Sequence, residues 1–579
     1  MRRTKIVATL GPATDDPAVL SAMLEGGVDV VRLNLSHGSA ADLRRRVGLL
    51  RDAEERTGRG VALMFDTRGP EIRLGAFIGG RTEVHQGQEF SLHAGPEPGD
   101  AQGAPISWAG LLPLLKPGMP VLLDDGRVPL EVLRVDEARA ICRVLADAEL
   151  TDRRKLTVPG LPLPLPPLTD QDLSDLRLGA ELGMDFVAAS FTSTAGHVLE
   201  VRDALATAGS EAYVIAKLET PEGMENLAAI LSVADGIMVA RGDLGVECLP
   251  EEVPLMQKRA IAMANRVGKP VITATQMLES MVHEPSPTRA EASDVQNAIL
   301  DGSDAVMLSG ETATGRHPLE AVRFMARLCE VADDHFPFGR PLGARTPDTV
   351  PEAISAATVQ IAQELGARAI VTASQGGHTT RMVARHRPEA RIVAATPEPG
   401  VARAMNLVWG AHPLVVPASA SAEELASRSI DAAVAAHLVE DGDVLVYTAG
   451  VPVGVPGTTN LIRVHTVGDV VLRGHGLGDA TACGEVRRVR RAADFDGMPD
   501  GAVVVAQHTD ASLVDGLGRA AALIAEEGGL TSHAAIVGLS LGIPVVVGAS
   551  GALGLLRDGE PVTVDARRGL VYRGRVGGV

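Results

Sequence analysis

The sequence predicts an α/β chain built on a (β/α)8 barrel, and three observations predict it. Apolar runs of strand length recur eight times, at 5–10, 28–33, 61–65, 185–189, 212–216, 236–240, 270–273 and 304–308. Helix-period segments separate most of them, as at 16–25, 40–56, 170–182, 251–267 and 289–300. The runs are apolar throughout rather than alternating, as expected of parallel strands buried on both faces. A doubly wound open sheet is the alternative, but it would not gather eight strand ends around one point. In a barrel the site forms at the C-terminal strand ends. In order, those ends offer Thr9, Arg32 with Asn34, Asp66, Ser190, Lys217 with Glu219, Arg241 with Asp243, Thr275 and Ser309.

The barrel is expected over 1–69 and 159–340, interrupted between its third and fourth strands by about 120 residues, far beyond a normal βα loop. Within that gap, alternating segments at 83–93, 119–123, 129–135 and 139–145 and a hairpin turn at Asp124-Asp125-Gly126 predict an inserted β cap over 70–158. Its exit, Val158-Pro159-Gly160-Leu161-Pro162-Leu163-Pro164, is proline-dense and expected to be extended. A cap at the barrel mouth can close over substrate and exclude water. After about residue 337 the pattern restarts as an α/β domain, expected over 341–470, with a helix at 353–365 and a strand at 369–372. The polar loop Ser374-Gln375-Gly376-Gly377-His378-Thr379 opens its next helix, where exposed amides suit an anion. Residues 466–478 are glycine-rich and expected to be a linker, followed by a fourth unit over 479–579. That unit contains strands at 502–506 and 521–525, a helix at 512–520, and Gly528-Gly529-Leu530-Thr531-Ser532-His533-Ala534.

Composition narrows the function classes. A chain of 579 residues with 45% apolar content can build several sizeable cores. No apolar run approaches the roughly 20 residues that span a bilayer, and the strand beginning at Lys5 leaves no room for a signal peptide. Cys142, Cys248, Cys329 and Cys483 lack CxxC spacing, so neither a disulfide framework nor a zinc site is expected. A reducing cytoplasm fits. A net charge of −19 and 2% aromatics argue against nucleic acid as partner.

Chemistry concentrates at Lys217-Leu218-Glu219 and Arg241-Gly242-Asp243, which end successive apolar runs. Two carboxylates at neighbouring strand ends suit a divalent metal such as Mg²⁺ or Mn²⁺, which takes hard oxygen ligands and shares them with substrate. A lysine beside that metal can stabilise charge on a transferring phosphoryl group. Read singly, each triplet is also explained as surface charge at a strand end.

In these residues, and in Lys5-Ile6-Val7-Ala8-Thr9-Leu10-Gly11-Pro12, Val31-Arg32-Leu33-Asn34-Leu35-Ser36-His37-Gly38, Phe65-Asp66-Thr67-Arg68-Gly69-Pro70-Glu71-Ile72-Arg73, Thr273-Ala274-Thr275-Gln276-Met277 and Leu308-Ser309-Gly310-Glu311-Thr312, the chain resembles the pyruvate kinase family over roughly residues 4–470. The resemblance implies phosphoryl transfer from phosphoenolpyruvate to ADP, giving pyruvate and ATP in glycolysis, in a cytoplasmic, allosteric homotetramer. It implies Glu219 and Asp243 as Mg²⁺ ligands, and Asn34, Ser36, Asp66 and Thr67 as K⁺ ligands. Lys217, Arg32, Arg73 and Thr275 are the implied catalytic residues, Thr275 as part of a proton relay. Substrate would meet Arg32, Ser190, Ser309, Thr275 and the backbone of Ala240, Arg241 and Gly242. Thr9, Pro12, His37, Arg73, Asp125 and Arg154 would surround the nucleotide, the run Arg153-Arg154-Lys155 leaving a one-residue shift open. Taken alone, His37 reads as a solvated histidine, Thr275 as a core threonine and Asp125 as a turn residue.

The loop at Ser374, Gly377 and Thr379 matches a phosphate-binding loop of bacterial relatives, with Gly376 replacing one hydroxyl, and implies a phosphorylated effector. The final unit resembles the mobile phosphohistidine domain of phosphoenolpyruvate-utilising enzymes, with His533 at the phosphorylated position. A phosphotransferase acting through phospho-His533 is the rival function, and a catalytically silent effector-binding protein is a third.

Overall fold

In the computed structural model, the described residues are 2–136, 138–338, 347–453, 455, 457–468 and 470–575. They form two compact units, Met1–Ala356 with Ser374–Val415, and Ala357–Ala373 with Val416–Val579. The expected boundary at 340–341 lies outside the described residues.

In the first unit eight parallel strands close into a barrel: Lys5–Thr9, Val30–Asn34, Ala62–Asp66, Phe186–Ala189, Tyr213–Leu218, Gly236–Ala240, Val271–Ala274 and Ala305–Leu308. Neighbours in the chain are neighbours in the ring, and the first strand pairs with the eighth, Lys5 opposite Ala305. Closure decides against the open sheet. The strands are buried almost residue for residue, which explains why they read as unbroken apolar runs.

Several of the surrounding helices begin where the sequence supplies caps. Ala40–Thr57 starts at Ser39, whose hydroxyl accepts from Asp42 N while the Asp42 carboxylate accepts from Ser39 N. It ends at Gly58, whose φ of 66° favours glycine. Its buried residues Leu43, Val47, Leu50 and Ala53 recur at helical spacing and face the barrel. Asp170–Glu181 and Arg289–Leu300 start with the same reciprocal pair, Thr169 with Asp172 and Thr288 with Glu291.

The N-terminal rim of the barrel is held by a repeated device. Asp29, Asp185, Asp235 and Asp304 each stand immediately before an even-numbered strand. Each carboxylate accepts a backbone N–H from the preceding strand, of Ile6, Leu63, Val214 and Val271 respectively, at 2.8–3.0 Å. Each also pairs with an arginine: Arg2, Arg403, Arg202 and Arg387. The Arg387–Asp304 pair is the most enclosed of the four. Arg387, fully buried, donates to Asp304 Oδ1 at 2.9 Å, to Asn265 Oδ1 at 2.5 Å and to Gly302 O at 2.6 Å, and lies over the Trp409 ring at 4.9 Å.

The expected cap insertion is present as a seven-stranded sheet from Ile72–Arg73 to Lys155–Thr157, with its own apolar core around Phe90, Leu92, Val121, Leu130 and Cys142. Its hairpin turn carries Asp124, Asp125 and Gly126 at φ 51°, 54° and 86°, as the sequence suggests. Residues 159–168 leave the cap without regular structure. The strands Arg391–Thr396 and Ala411–Val415 of the first unit pair in parallel.

In the second unit Ala369–Ala373 pairs in parallel with Val444–Gly450, and an eight-stranded sheet is built from residues 470–573. The expected linker at 466–478 is not a linker. Val470–Arg473 and His475–Leu477 are the two edge strands of that sheet. The glycines serve close packing: a Cβ on Gly476 would meet Ala566 O at 1.7 Å, and one on Gly474 would meet Val547 O at 2.4 Å. The helix expected at 512–520 is present only over a 3-10 turn, Ala511–Leu513, that runs into one α turn, Val514–Leu517; it stops short because Gly516 and Gly518 are poor helix formers. Among the described residues no helix is long and apolar enough to cross a membrane.

Candidate active site

The strand ends meet at the barrel mouth around one buried ion network. Asn34 and Asp66 lie in register on the second and third strands, and Ala188 opposite Asp66 on the fourth. Asp66 accepts from Arg32 Nε at 2.6 Å through one oxygen and from Lys217 Nζ at 3.0 Å through the other. Burial opposes its ionisation, but Arg32 and Lys217 hold its pKa below the usual carboxylate range. Lys217 Nζ also donates to Ser190 Oγ at 2.6 Å and stands 2.9 Å from Glu219 Oε1. Burial works against its charge as well, and Asp66 and Glu219 outweigh it, so the ammonium is firmly charged. Thr9 Oγ1 accepts from Arg32 Nη1 at 3.0 Å, and Ser190 Oγ donates to Thr67 O at 2.7 Å. Two cations therefore stand side by side, fixed by one shared carboxylate, which suits recognition of a multiply charged anion.

Glu219 and Asp243 face the same space from the fifth and sixth strand ends. Glu219 is 1% exposed and Asp243 31%, so one carboxylate is deep and the other opens to the mouth. Burial pushes the Glu219 pKa up, Lys217 pulls it down, and the neighbouring Asp243 charge adds to the rise. Against burial, Lys155 and Lys217 keep Asp243 below the usual range. Glu219 Oε2 accepts from Phe191 N at 2.6 Å. Two hard carboxylates, close enough that the Asp243 charge raises the Glu219 pKa and with one side open to a ligand, are a donor set that fits a divalent cation. Among the described residues no group of three or more candidate ligands occurs, so substrate oxygens would complete such a shell.

Thr275 and Gln276 both take left-handed backbone, at φ 66° and 54°. The Arg241 guanidinium holds them there, donating to Thr275 O at 2.8 Å and Gln276 O at 3.2 Å while pairing with Asp294 at 2.6 Å. Only the backbone of Arg241 is thus available to a ligand. Thr275 Oγ1 accepts from Gly242 N at 2.7 Å and donates to Ala274 O at 2.6 Å. A substrate carboxylate taking the Gly242 N–H must displace that hydroxyl, which frees it beside the substrate. Ser309 Oγ is buried without a hydrogen-bond partner, at the eighth strand end.

The remaining sequence candidates lie further out. Pro12, His37, Asp125 and Arg154 are exposed around the mouth and cap, with Arg154 held to Asp124 at 2.9 Å. Arg73 bonds the Glu71 carboxylate and Arg153 O at 3.0 Å. Asn34 Oδ1 accepts from Ser36 N, and Thr67 O is engaged by Ser190. At the expected effector loop Ser374 N donates to Ala395 O, Gly377 has φ 70° and Thr379 is buried. His533, exposed at the start of His533–Leu541, has Nδ1 2.9 Å from Thr509 Oγ1.

One residue at the site was not singled out from the sequence. Lys155 Nζ, from the cap, lies 2.5 Å from Asp243 Oδ1. The available signal was its place as the third basic residue of Arg153-Arg154-Lys155, at the start of a strand.

Comparison with known proteins agrees with this geometry. The family described as pyruvate kinase, barrel domain, matches residues 1–322, more than half of the chain. The chain belongs to the pyruvate kinase family. That family's alpha/beta domain matches residues 352–465, and the mobile domain of PEP-utilising enzymes matches 498–569. The pyruvate kinase of Geobacillus stearothermophilus is 44% identical over 99% of both chains, and pyruvate kinase 2 of Synechocystis is 43% identical over 99% of this chain and 98% of its own. A crystal structure of a pyruvate kinase from Cryptosporidium parvum is similar at a TM-score of 0.76 and 35% identity, covering 80% of this chain and 96% of that one.

Proposed function

We infer that the chain transfers the phosphoryl group of phosphoenolpyruvate to ADP, giving pyruvate and ATP. The observation that carries this is the Arg32–Asp66–Lys217 network beside Glu219 and Asp243 at the barrel mouth, in a member of this family. Relatives named pyruvate kinase match over the whole length, which favours the kinase over a phosphotransferase acting through His533.

An oxygen of the ADP β-phosphate attacks phosphorus, and the bond from phosphorus to the enol oxygen breaks. The enolate then takes one proton on its methylene carbon and becomes pyruvate. Arg32 and Lys217 bind the phosphoryl oxygens and balance the charge of a loose transition state. The backbone at Ala240, Arg241 and Gly242 receives the substrate carboxylate, and Ser190 and Ser309 line the pocket. The Thr275 hydroxyl is one link in the proton's path. Arg73 meets nucleotide and phosphate, and Thr9, Pro12, His37, Asp125 and Arg154 surround the nucleotide. Glu219 and Asp243 would hold Mg²⁺ or Mn²⁺, which supplies Lewis-acid charge neutralisation to the transferring group. A coupled assay of ADP-dependent pyruvate formation, with and without divalent metal, tests the activity. No pyruvate in either condition rejects it.

K⁺ is the second ion in this reading, held by Asn34, Ser36, Asp66 and the Thr67 carbonyl. Asp66 would then share its carboxylate with Arg32 and Lys217. Glu71 sits where, by the resemblance, potassium-independent members of the family often carry lysine, so the monovalent charge would have to come from solution. We expect strong activation by K⁺ over Na⁺ at constant ionic strength, and weaker dependence in Glu71→Lys. Full activity of the parent chain in K⁺-free buffer would remove this site.

The same reading divides the chain into the barrel (1–69 and 159–340), the cap (70–158), an α/β part (from 341) and a final part, expected from the sequence at 479–579 and extended at its start by the edge strands from Val470, in a cytoplasmic homotetramer of glycolysis. A phosphorylated effector at Ser374, Gly377 and Thr379 belongs to it too. Sugar phosphates and AMP, titrated at low phosphoenolpyruvate, test that site. No change in rate and no binding heat would count against it.

A further inference from the structure

Lys155 reaches the metal-ligand carboxylates from the wrong side for a substrate-gripping residue. It belongs to the cap strand Lys155–Thr157, whereas Lys217 stands at the C-terminal end of the fifth barrel strand. Its ammonium lies 2.5 Å from Asp243 Oδ1, 3.7 Å from Glu71 Oε1 and 4.9 Å from the centre of the Phe191 ring. The side chain is 13% exposed. Burial disfavours its charge, but Asp243, Glu219 and Glu71 together raise its pKa, so it stands there as a cation.

We propose that Lys155 is a cap-borne competitor for the divalent cation at Asp243: it occupies the carboxylate oxygen that cation needs, ties the cap to the barrel mouth through it, and is displaced when the cation loads. This rests on the reading of Glu219 and Asp243 as the metal ligands. Charge argues for exchange. Arg32, Lys217 and Lys155 already balance Asp66, Glu219 and Asp243, so a divalent ion added without losing an ammonium would leave four cations on three carboxylates. Geometry says which ammonium leaves. Lys217 has three oxygen partners within 3.0 Å, all from barrel strand ends or the residues just beyond them. Lys155 has one short bond, a longer contact and an aromatic face, on an element outside the barrel. Once released from Asp243 it keeps Glu71, on its own side of the cleft, as a neighbour, so its charge stays near the mouth where the nucleotide polyphosphate must pass. Lys155 thereby acts through Asp243, as a positioning residue that couples metal loading to release of the cap.

The test is Mn²⁺ binding to the full-length chain without substrate, read as free Mn²⁺ by electron paramagnetic resonance. Lys155→Gln is expected to tighten binding about tenfold, the order expected for losing one charge-assisted hydrogen bond to the competing ammonium. Lys155→Arg, which keeps the charge, is expected to bind near the parent value. Unchanged affinity in Lys155→Gln, together with loss of binding in Asp243→Ala, overturns the role of Lys155 and leaves the metal ligands standing. No Mn²⁺ binding by any of these chains overturns both. Hydrogen exchange of the parent chain serves where the glutamine variant does not fold. Protection at 155–157 is expected to fall when Mn²⁺ is added, and unchanged protection overturns the proposal.

Discussion

Lys217→Met is expected to lower turnover by at least ~10²–10³-fold while phosphoenolpyruvate still binds, the usual consequence of removing one preorganised electrostatic group. The methionine fills the space but cannot donate to Asp66, Ser190 or the phosphoryl oxygens. Arg32 still engages Asp66 at 2.6 Å, so anion binding persists with one cation fewer. The loss should therefore fall on kcat rather than on the dissociation constant, read by calorimetry beside single-turnover kinetics. A variant with more than half the parent turnover would sink the assignment. Glu219→Ala and Asp243→Ala make the contrasting case, since each is expected to raise the Mg²⁺ needed for half-maximal rate. If both saturate with Mg²⁺ as the parent does, they are not its ligands.

Arg387→Ala is expected to destabilise the first unit by ~3–5 kcal/mol, the range for removing one partner of a buried ion pair. The substitution leaves Asp304 Oδ1, Asn265 Oδ1 and Gly302 O without their shared donor, in a place closed to water. It also removes the cation from the face of Trp409. Asp304 holds the start of the seventh strand through Val271 N, so the disturbance enters the barrel rather than the surface. Arg202→Ala provides the comparison: its side chain is 37% exposed, and solvent can replace it at Asp235. The expected result is a large fall in melting midpoint for Arg387→Ala and a small one for Arg202→Ala. Equal, small shifts would show that the buried arginine is not the fastening of that rim. Because the chain has two units, the midpoint of the first transition is the quantity to compare.

The barrel was legible in the sequence because its determinants are local. Strand burial on both faces writes an unbroken apolar run, and helices write a period of 3.6 residues, whatever lies elsewhere in the chain. Ser39 with Asp42, and Thr288 with Glu291, announce helix starts three residues at a time. The site residues were legible for the same reason: once strands are placed, topology brings their C-terminal ends together. The segment 466–478 was misread because glycine serves two ends, loop freedom and close backbone approach. Only the presence of Ala566 O and Val547 O against Gly476 and Gly474 tells which applies.

What the sequence by itself determined is the order and type of elements in the barrel, and the strand ends that carry Arg32, Asp66, Lys217, Glu219, Asp243 and Thr275. What only the tertiary structure decided is the pairing of charges. Lys155 and Asp243 are 88 positions apart, and Arg387 and Asp304 are 83 apart. Secondary structure follows from a residue's neighbours in the chain, whereas an ion pair forms wherever folding brings two charges to one dry place. Arg153, Arg154 and Lys155 look alike in sequence, yet Arg154 is exposed, holding Asp124, while Lys155, on the first residue of a strand, meets Asp243. The difference lies in which way successive side chains of that cap segment point relative to the barrel, and no local pattern records it.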